Sequence, residues 1–270
     1  MAGKQRVDQA LISLNLCESR EKAQAAIMAG LVYIGEKKVL KPSENLPEGV
    51  QLTMRTPAHD YVSRGALKLE KAIKVFNADL TGRIVLDIGA STGGFTDVSL
   101  RNNAKHVYSV DVGYGQLDWK LRNDPRVTVM ERTNARYLTS EQFPEIPEVT
   151  VMDVSFISIR LILPVADRIM GPDGVFYTLI KPQFEAGRER VGKKGVVRDP
   201  DVHEDVLKEI IDFCDENGLW VEALDFSPIT GPEGNIEFIA KIRRKTSSSQ
   251  KISTDQVADL VSLAHRSLKS

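Results

Sequence analysis

Five charged residues stand where apolar runs end or begin, and a sixth precedes them. Asp87, Asp111, Asp153 and Lys181 each close a short apolar stretch, Glu237 opens the last one, and Lys68 lies in an amphipathic segment ahead of the first. A strand-end aspartate is often only a turn former or helix cap. Four charged ends on four apolar strands fit that explanation poorly, because burying a charge without a partner is costly. In open α/β sheets ligands bind at the carboxyl ends of the parallel strands. Asp111 falls where a carboxylate takes ribose hydroxyls in nucleotide folds, or it caps a helix. Lys181, between Ile180 and Pro182, either snorkels out at the sheet edge or stands partly withdrawn from water beside a reacting hydroxyl. Asp153 would hold that ammonium. Glu237 reaches the same rim only if the last strand runs antiparallel, and Lys68 could reach it from the preceding helix. Taken singly, each has an ordinary surface explanation; together they form a Lys-Asp-Lys-Glu set with a shared location.

Beside this set runs Ile84-Val85-Leu86-Asp87-Ile88-Gly89-Ala90-Ser91-Thr92-Gly93-Gly94-Phe95. It reads as a buried strand, a Gly-rich turn and a helix N-terminus, an arrangement that lets backbone approach a ligand. The spacing G-x-x-x-G-G puts Ser91 where the dinucleotide fingerprint has its middle glycine. Asp87 offers a carboxylate where a pyrophosphate would want none. Both points favour a nucleoside carrying a cationic amino-acid moiety, such as S-adenosylmethionine (SAM). A tight structural turn accounts for the same residues equally well.

Placing these groups falls to the rest of the chain. The 270 residues suffice for one large domain or two smaller ones, and 42% hydrophobic with 27% charged residues is ordinary for a soluble globular chain. Net charge is −1, so nucleic acid would have to be met by local basic patches. Two cysteines, Cys17 and Cys214, exclude a disulfide framework and a cysteine-based zinc site and fit a reducing compartment. No apolar run approaches the ~18 residues of a membrane span, and no signal-peptide core is present, so a cytoplasmic location is expected.

The first 55 or so residues predict helix, helix and hairpin. Apolar Val7, Ala10, Leu11 and Leu14 mark a short helix. Ser19 caps a second, which runs to about Ala29 and closes at Gly30. Strands over 31–34 and 38–40 flank a Gly35-Glu36 turn. Pro42, Pro47 and Pro57 interrupt the chain after this hairpin, and 55–60 reads as a linker. Beyond it Ser63 is expected to cap a helix over 63–76. Strands over 84–88, 107–111, 127–130, 149–153 and 175–181 alternate with helices over 95–101, 116–121 and 157–170, a rhythm that predicts a parallel sheet covered on both faces. A helix over 202–217, a hairpin over 221–226 and 236–242, and a helix from Ser253 with a Ser253–Gln256 capping box complete the chain. Between Lys181 and the 202–217 helix, five basic residues and three glycines over 183–198 suggest a mobile flap that meets phosphates.

These residues resemble the TlyA family. The resemblance is carried by Ser63-Arg64-Gly65-Ala66-x-Lys68-Leu69, by 87–97, by Val110-Asp111-Val112-Gly113-Tyr114-Gly115-Gln116-Leu117, by Asp153-Val154-Ser155-Phe156-Ile157-Ser158, by Leu179-Ile180-Lys181-Pro182-Gln183-Phe184-Glu185 and by Gly231-Pro232-x-Gly234-Asn235-x-Glu237. It covers nearly the whole chain. It implies a Rossmann-like, SAM-dependent methyltransferase domain similar to FtsJ at 59–245, mostly parallel with its last strand antiparallel. It implies a small α+β RNA-binding domain of the alpha-L type at 1–58, which Ser19-Arg20-Glu21-Lys22-Ala23 and Ala29-Gly30-Leu31-Val32 match, with a polar link and helix at 246–270. The implied activity is 2′-O-methylation of a cytidine ribose in large-subunit ribosomal RNA, in some members also small-subunit RNA. Lys68, Asp153, Lys181 and Glu237 would be the catalytic tetrad. Asp87, Gly89, Ala90, Ser91, Thr92, Gly93, Gly94, Phe95, Asp111 and Val112 would hold SAM. RNA is expected at Arg6, Arg20, Lys22, Lys37, Lys38, Arg64, Arg188, Arg190, Lys193 and Lys194. No metal is expected, and the oligomeric state is open. The family is also labelled hemolysin, and a membrane-lytic protein is the rival reading.

Overall fold

In a computed structural model the described residues are 5–28, 30–35, 37–46, 51–54 and 60–268. Ala29, Glu36, Pro47, Pro57 and most of the expected linker lie outside them. The chain divides between Asp60 and Tyr61 into two compact units.

In the first unit α1 (Val7–Ser13) and α2 (Arg20–Met28) lead to β1 (Val32–Ile34) and β2 (Lys37–Lys38). The Lys22 amide donates to Ser19 Oγ at 3.2 Å, the expected cap. Val7, Ala10, Leu11, Ala23, Ile27 and Val32 form the core. A third strand, β3 (Leu52–Met54), pairs antiparallel with β1. The sequence reading stops at two strands, because three residues are too few to show an alternation.

In the second unit the central strands are buried on both faces, as their near-continuous apolar runs require, with only Asp87, Thr150 and Thr178 polar among them. The strands of this unit are β4 (Ile84–Ile88), β5 (His106–Val110), β6 (Val127–Met130), β7 (Val149–Met152), β8 (Val175–Ile180), β9 (Leu219–Phe226) and β10 (Phe238–Arg244). Their order is β6-β5-β4-β7-β8-β10-β9. All pairings are parallel except those of β10, which runs antiparallel to both β8 and β9. The chain moves outward from β4 through β5 to β6, then returns to build the other half from β7. The crevice between β4 and β7 is therefore the switch point where such sheets bind ligands.

Two helix layers cover the sheet. Alternation along β4 sends Ile84, Leu86 and Ile88 to one face and Val85 to the other. On Val85's side lie α3 (Ala66–Phe76) and α4 (Gly94–Arg101); α5 (Trp119–Arg122) follows β5. The opposite face packs α6 (Leu163–Ile169), α8 (Pro200–Glu216) and α9 (Thr254–Leu268), with the short α7 (Pro182–Glu185) directly after β8. Three helix starts differ from expectation. Ser63 makes no side-chain cap: α3 begins at Ala66 after Gly65. The expected 116–121 helix begins only at Trp119, where Asp118 accepts from the Lys120 amide. The expected 157–170 helix is a 3₁₀ turn at Ile159–Leu161 followed by α6, because Pro164 in the first turn supplies no N–H to extend the helix backward.

The last helix docks on its own unit. Val257, Val261 and Ala264 join the core beside α8 and β9. The capping box forms as expected, with the Ser253 amide donating to Gln256 at 2.9 Å and the Gln256 amide to Ser253 Oγ at 3.2 Å. His265 of α9 meets His203 of α8 at 2.9 Å, and His203 is fully buried. Burial first, and His265 second, hold His203 down at about 4. The unfolded chain therefore takes up a proton that the folded chain refuses. Stability from this contact is expected to be complete above pH 6.5, the ordinary histidine value, and to fall away as pH drops toward 4. Melting temperatures of wild type and His203→Asn across that window should converge at the acid end.

Candidate active site

The antiparallel run of β10 completes the rim. Phe238 pairs with Ile180, which puts Glu237 beside Lys181, the residue that ends β8. Asp153 follows β7 on the neighbouring strand, and Lys68 arrives from α3. Lys68 Nζ donates to Asp153 Oδ2 at 3.0 Å and to Glu237 Oε2 at 2.6 Å. Lys181 Nζ lies 2.6 Å from Asp153 Oδ1 as an ion pair outside hydrogen-bond angles, and donates to Ser155 Oγ at 3.0 Å. Gln183 Nε2 donates to the other oxygen of Glu237 at 3.2 Å. Two cations and two anions thus compensate one another almost out of reach of water: Lys68 and Lys181 are each 7% exposed and Glu237 1%.

The electrostatics are set by that pairing. Burial pulls Lys68 down, but the Asp153 and Glu237 carboxylates outweigh it, and its pKa rises above the usual lysine value. Burial likewise pushes Asp153 up, and Lys68 and Lys181 overcome it, so its pKa falls below the usual carboxylate value.

Two cavities meet at this cluster. One, of about 350 Å³, lies over the ends of β4, β5 and β7 and is walled by apolar Ile88, Val110, Val112, Ile157 and Ile162, with Asp111 and Asn134 as polar groups. The second, of about 240 Å³, is lined by Lys68, Lys181, Glu237, Ser63, Arg64, the turn from Gly89 to Thr92, and residues 229–232. Gly89, Ser91, Asp153 and Ser155 border both. Glycine is required at two points. Gly89 has φ +84°, and a Cβ there would lie 2.9 Å from the Asp153 carbonyl oxygen. A Cβ on Gly94 would fall 2.9 Å from the Ala66 amide nitrogen, so the start of α4 could not approach that of α3.

Of the residues expected around the turn, Gly89, Ala90, Ser91, Thr92, Gly94 and Phe95 border the second cavity, while Asp111 and Val112 border the first. Gly93 is the left-handed residue before α4. Asp111 accepts from the Ser91 amide at 2.8 Å and the Gly113 amide at 2.6 Å, which fixes its carboxylate over the cavity. Asp87 lines neither cavity. It is fully buried under the turn, accepts from Thr96 Oγ1 at 2.7 Å, and burial pushes it up to about 7. Its side chain alternates to the α4 face, so it supports the turn from below. Ser155, Gln183 and the 229–232 loop were not among the expected site residues, since no periodicity marks them; Ser155, Gln183, Gly231 and Pro232 stood in the sequence only within the motifs that carry the resemblance.

The basic residues separate into engaged and open. Arg64 donates to the Thr230 carbonyl at 2.6 Å. Arg190 is tied to Glu209 and Asp205, at 2.9 and 3.4 Å, whereas Arg188, Lys193 and Lys194 are exposed. The 183–198 segment carries α7 and two short 3₁₀ turns, and Asn235 accepts from the Val197 amide at 3.0 Å. In the first unit Arg6 and Arg20 bracket the buried Asp8, Lys22 pairs with Glu18, Lys37 is exposed, and the Lys38 side chain passes over Gly30.

A family model described as FtsJ-like methyltransferase matches residues 61–244, the whole second-unit sheet and its rim. The chain belongs to the FtsJ-like methyltransferase family. An S4 domain model matches residues 5–52. Among relatives, YqxC of Bacillus subtilis (strain 168), whose name marks it as a candidate rRNA methyltransferase, is 51% identical over 269 residues, 98% of this chain and 96% of its own length. The TlyA protein of Mycobacterium tuberculosis, named as a 16S/23S rRNA (cytidine-2'-O)-methyltransferase, is 42% identical over 247 residues, 91% of this chain and 92% of its own. A solved structure from Streptococcus thermophilus that carries the hemolysin label aligns with a TM-score of 0.79 at 46% identity, covering 100% of this chain and 98% of that one.

For this FtsJ-like unit, Lys68→Met leaves Asp153 and Glu237 without their shared cation. The expected loss is about 3–5 kcal/mol, the usual cost of stranding buried charge. Because Asp153 is held below 3.8 and Lys68 above 10.5, the contribution is complete between those values. It is lost as pH falls through the lowered Asp153 value or rises through the raised Lys68 value. Denaturant titrations of both proteins should show a constant gap at neutral pH that closes at the extremes.

Proposed function

We propose that this chain transfers a methyl group from SAM to the 2′-oxygen of a cytidine ribose in large-subunit (23S) ribosomal RNA, with small-subunit (16S) RNA as a second acceptor. The observation that carries the reading is the charge-compensated cluster of Lys68, Asp153, Lys181 and Glu237 where two cavities meet. The printed names of the B. subtilis and M. tuberculosis relatives support RNA as the acceptor. The first cavity suits SAM: apolar walls for an adenine and Asp111 for ribose hydroxyls, with Gly89 and Ser91 of the turn, which border both cavities, toward the amino-acid part. SAM supplies the electrophilic methyl group when bound.

This chain's residues do the rest. Alignment of acceptor with donor accounts for most of the rate in such displacements. Lys181, at the wall of the second cavity, orients the 2′-hydroxyl and, as an ammonium paired with Asp153, stabilises the oxygen as its proton is lost to solvent and the oxygen–carbon bond forms. Asp153 holds Lys181 at 2.6 Å. Lys68, engaged by both carboxylates, holds Asp153 and Glu237 in place, and so positions rather than reacts. RNA is bound through the S4-like unit and the exposed Arg188, Lys193 and Lys194, whose charge is free for phosphates. This reading implies a cytoplasmic site of action. As for the hemolysin label, no helix among the described residues is long and apolar enough to cross a membrane.

Incubation of ribosomal subunits with labelled SAM, followed by mapping of the modified nucleotide, tests the reading. Label on a cytidine 2′-oxygen supports it; label elsewhere, or leakage of liposomes without methyl transfer, sinks it. In the same assay Lys181→Ala is expected to lower turnover by about 10²–10⁴-fold, the usual scale for a positioned acid or base. SAM binding by calorimetry should stay within about threefold of wild type, since Lys181 lines the other cavity.

A further inference from the structure

We infer that Glu185 is the positioning residue that sets Lys181 against Asp153, and that it governs the chemical step rather than the binding of either reactant. The inference rests on the methyl-transfer reading. Glu185 ends α7, the turn that begins directly after Lys181, yet its side chain reaches the segment that leaves β7 after Asp153. Glu185 Oε2 accepts from Ser158 Oγ at 2.6 Å, and Oε1 accepts from the Ile159 amide at 2.8 Å. Arg160 Nε lies 3.4 Å from Oε2, while Arg160 Nη2 donates to the Glu185 carbonyl at 3.2 Å and to Glu209 at 2.9 Å. The two segments that carry the reacting pair are thus joined by side chain and backbone together.

The chain between these joints shows why the join matters. From Asp153 to Ser158 it passes through Ser155, which accepts from Lys181, and Phe156, whose φ of +64° is a left-handed conformation rare for a bulky side chain. Strain of that kind persists only where the surroundings hold it. Here the loop is held at one end by Lys181 on Asp153 and Ser155, and at the other by Glu185 on Ser158 and Ile159. Stability does not account for the carboxylate. The Glu185 side chain is 1% exposed, and burying a charge of this kind gives little or no net stabilisation against an apolar residue of like volume. Burial raises its pKa despite the donors from Ser158, Ile159 and Arg160. The carboxylate's effect is geometric: it satisfies the first amide of the Ile159–Leu161 turn and fixes the loop's register against α7.

The test compares wild type with Glu185→Ala, Glu185→Gln and Ser158→Ala, using ribosomal subunits and labelled SAM. A misplacement of about 1 Å at a reacting group costs about 10²-fold. Glu185→Ala is therefore expected to lower kcat by about 30–100-fold, with KM for RNA and for SAM within about threefold and S-adenosylhomocysteine affinity by calorimetry unchanged. Glu185→Gln keeps an acceptor for the Ile159 amide and should recover part of the loss. Ser158→Ala, which removes one contact, should lower kcat alone by a smaller factor, and it carries the test with Glu185→Gln if the alanine variant does not fold. An unchanged kcat in the folded variants, or a loss confined to KM, overturns the inference. A wild type that methylates no RNA overturns the functional reading and this inference with it; an active wild type with unaffected variants overturns this inference alone.

Discussion

Three buried charges, Lys68, Lys181 and Glu237, and the half-buried Asp153 must neutralise one another, and they constrain the whole second unit. An isolated ammonium or carboxylate at the depth of Lys68 or Glu237 would be heavily penalised. Each is tolerable because the others are within ion-pair distance, at 2.6 to 3.0 Å. The members come from α3, the end of β7, the end of β8 and the start of β10. Any shift of one element against another opens an uncompensated charge. The cluster therefore binds the architecture to one arrangement, and that arrangement is the one that leaves Lys181 at a cavity wall.

The sheet topology serves this constraint. Parallel strands bring Asp111, Asp153 and Lys181 to one edge, but a glutamate at the start of a further parallel strand would emerge at the far edge. Reversing β10 brings Glu237 to the same edge through the Phe238–Ile180 pairing. The switch between β4 and β7 then opens the crevice above the Gly89 turn. Gly89 lets the turn approach the Asp153 backbone, so the floor of one cavity is also the border of the other. The donor and acceptor sides of a group transfer can meet there without either crossing a loop.

Much of this was legible in the chain. The mostly apolar run at 84–88 appears as a strand with those limits, since a strand buried on both faces tolerates few polar residues. The charged strand ends stood out because charge at the end of such a run needs a partner. Less legible were features decided by contacts between distant residues. Ser63 looked like a helix cap, but α3 starts later, with the Ser63 carbonyl accepting from the Ala66 amide. Asp87 looked like a ligand residue, but strand alternation turns it to Thr96 beneath the turn. Arg190 looked open to phosphate, but α8 presents Glu209 and Asp205 to it. The α9 docking site on α8 and β9 had no local mark, because an apolar helix face does not name the surface that covers it.

Local composition and spacing were enough to specify the βα rhythm, the Gly-rich turn and the set of charged residues that required one another. Those are properties of short stretches, where hydrophobic period and steric freedom act within a few residues. The sequence grouped Glu237 with Lys68, 169 residues away along the chain, only on the condition that the last strand runs antiparallel; the pairing of β10 with β8 in the tertiary structure meets that condition. Tertiary structure alone decided that Asp87 supports rather than lines the site, and that Ser155 and Glu185 tie the Asp153 and Lys181 segments together. The reason is physical: strand direction and side-chain facing are set by pairing across the whole sheet, and a buried charge selects its partner by geometry that no single stretch contains.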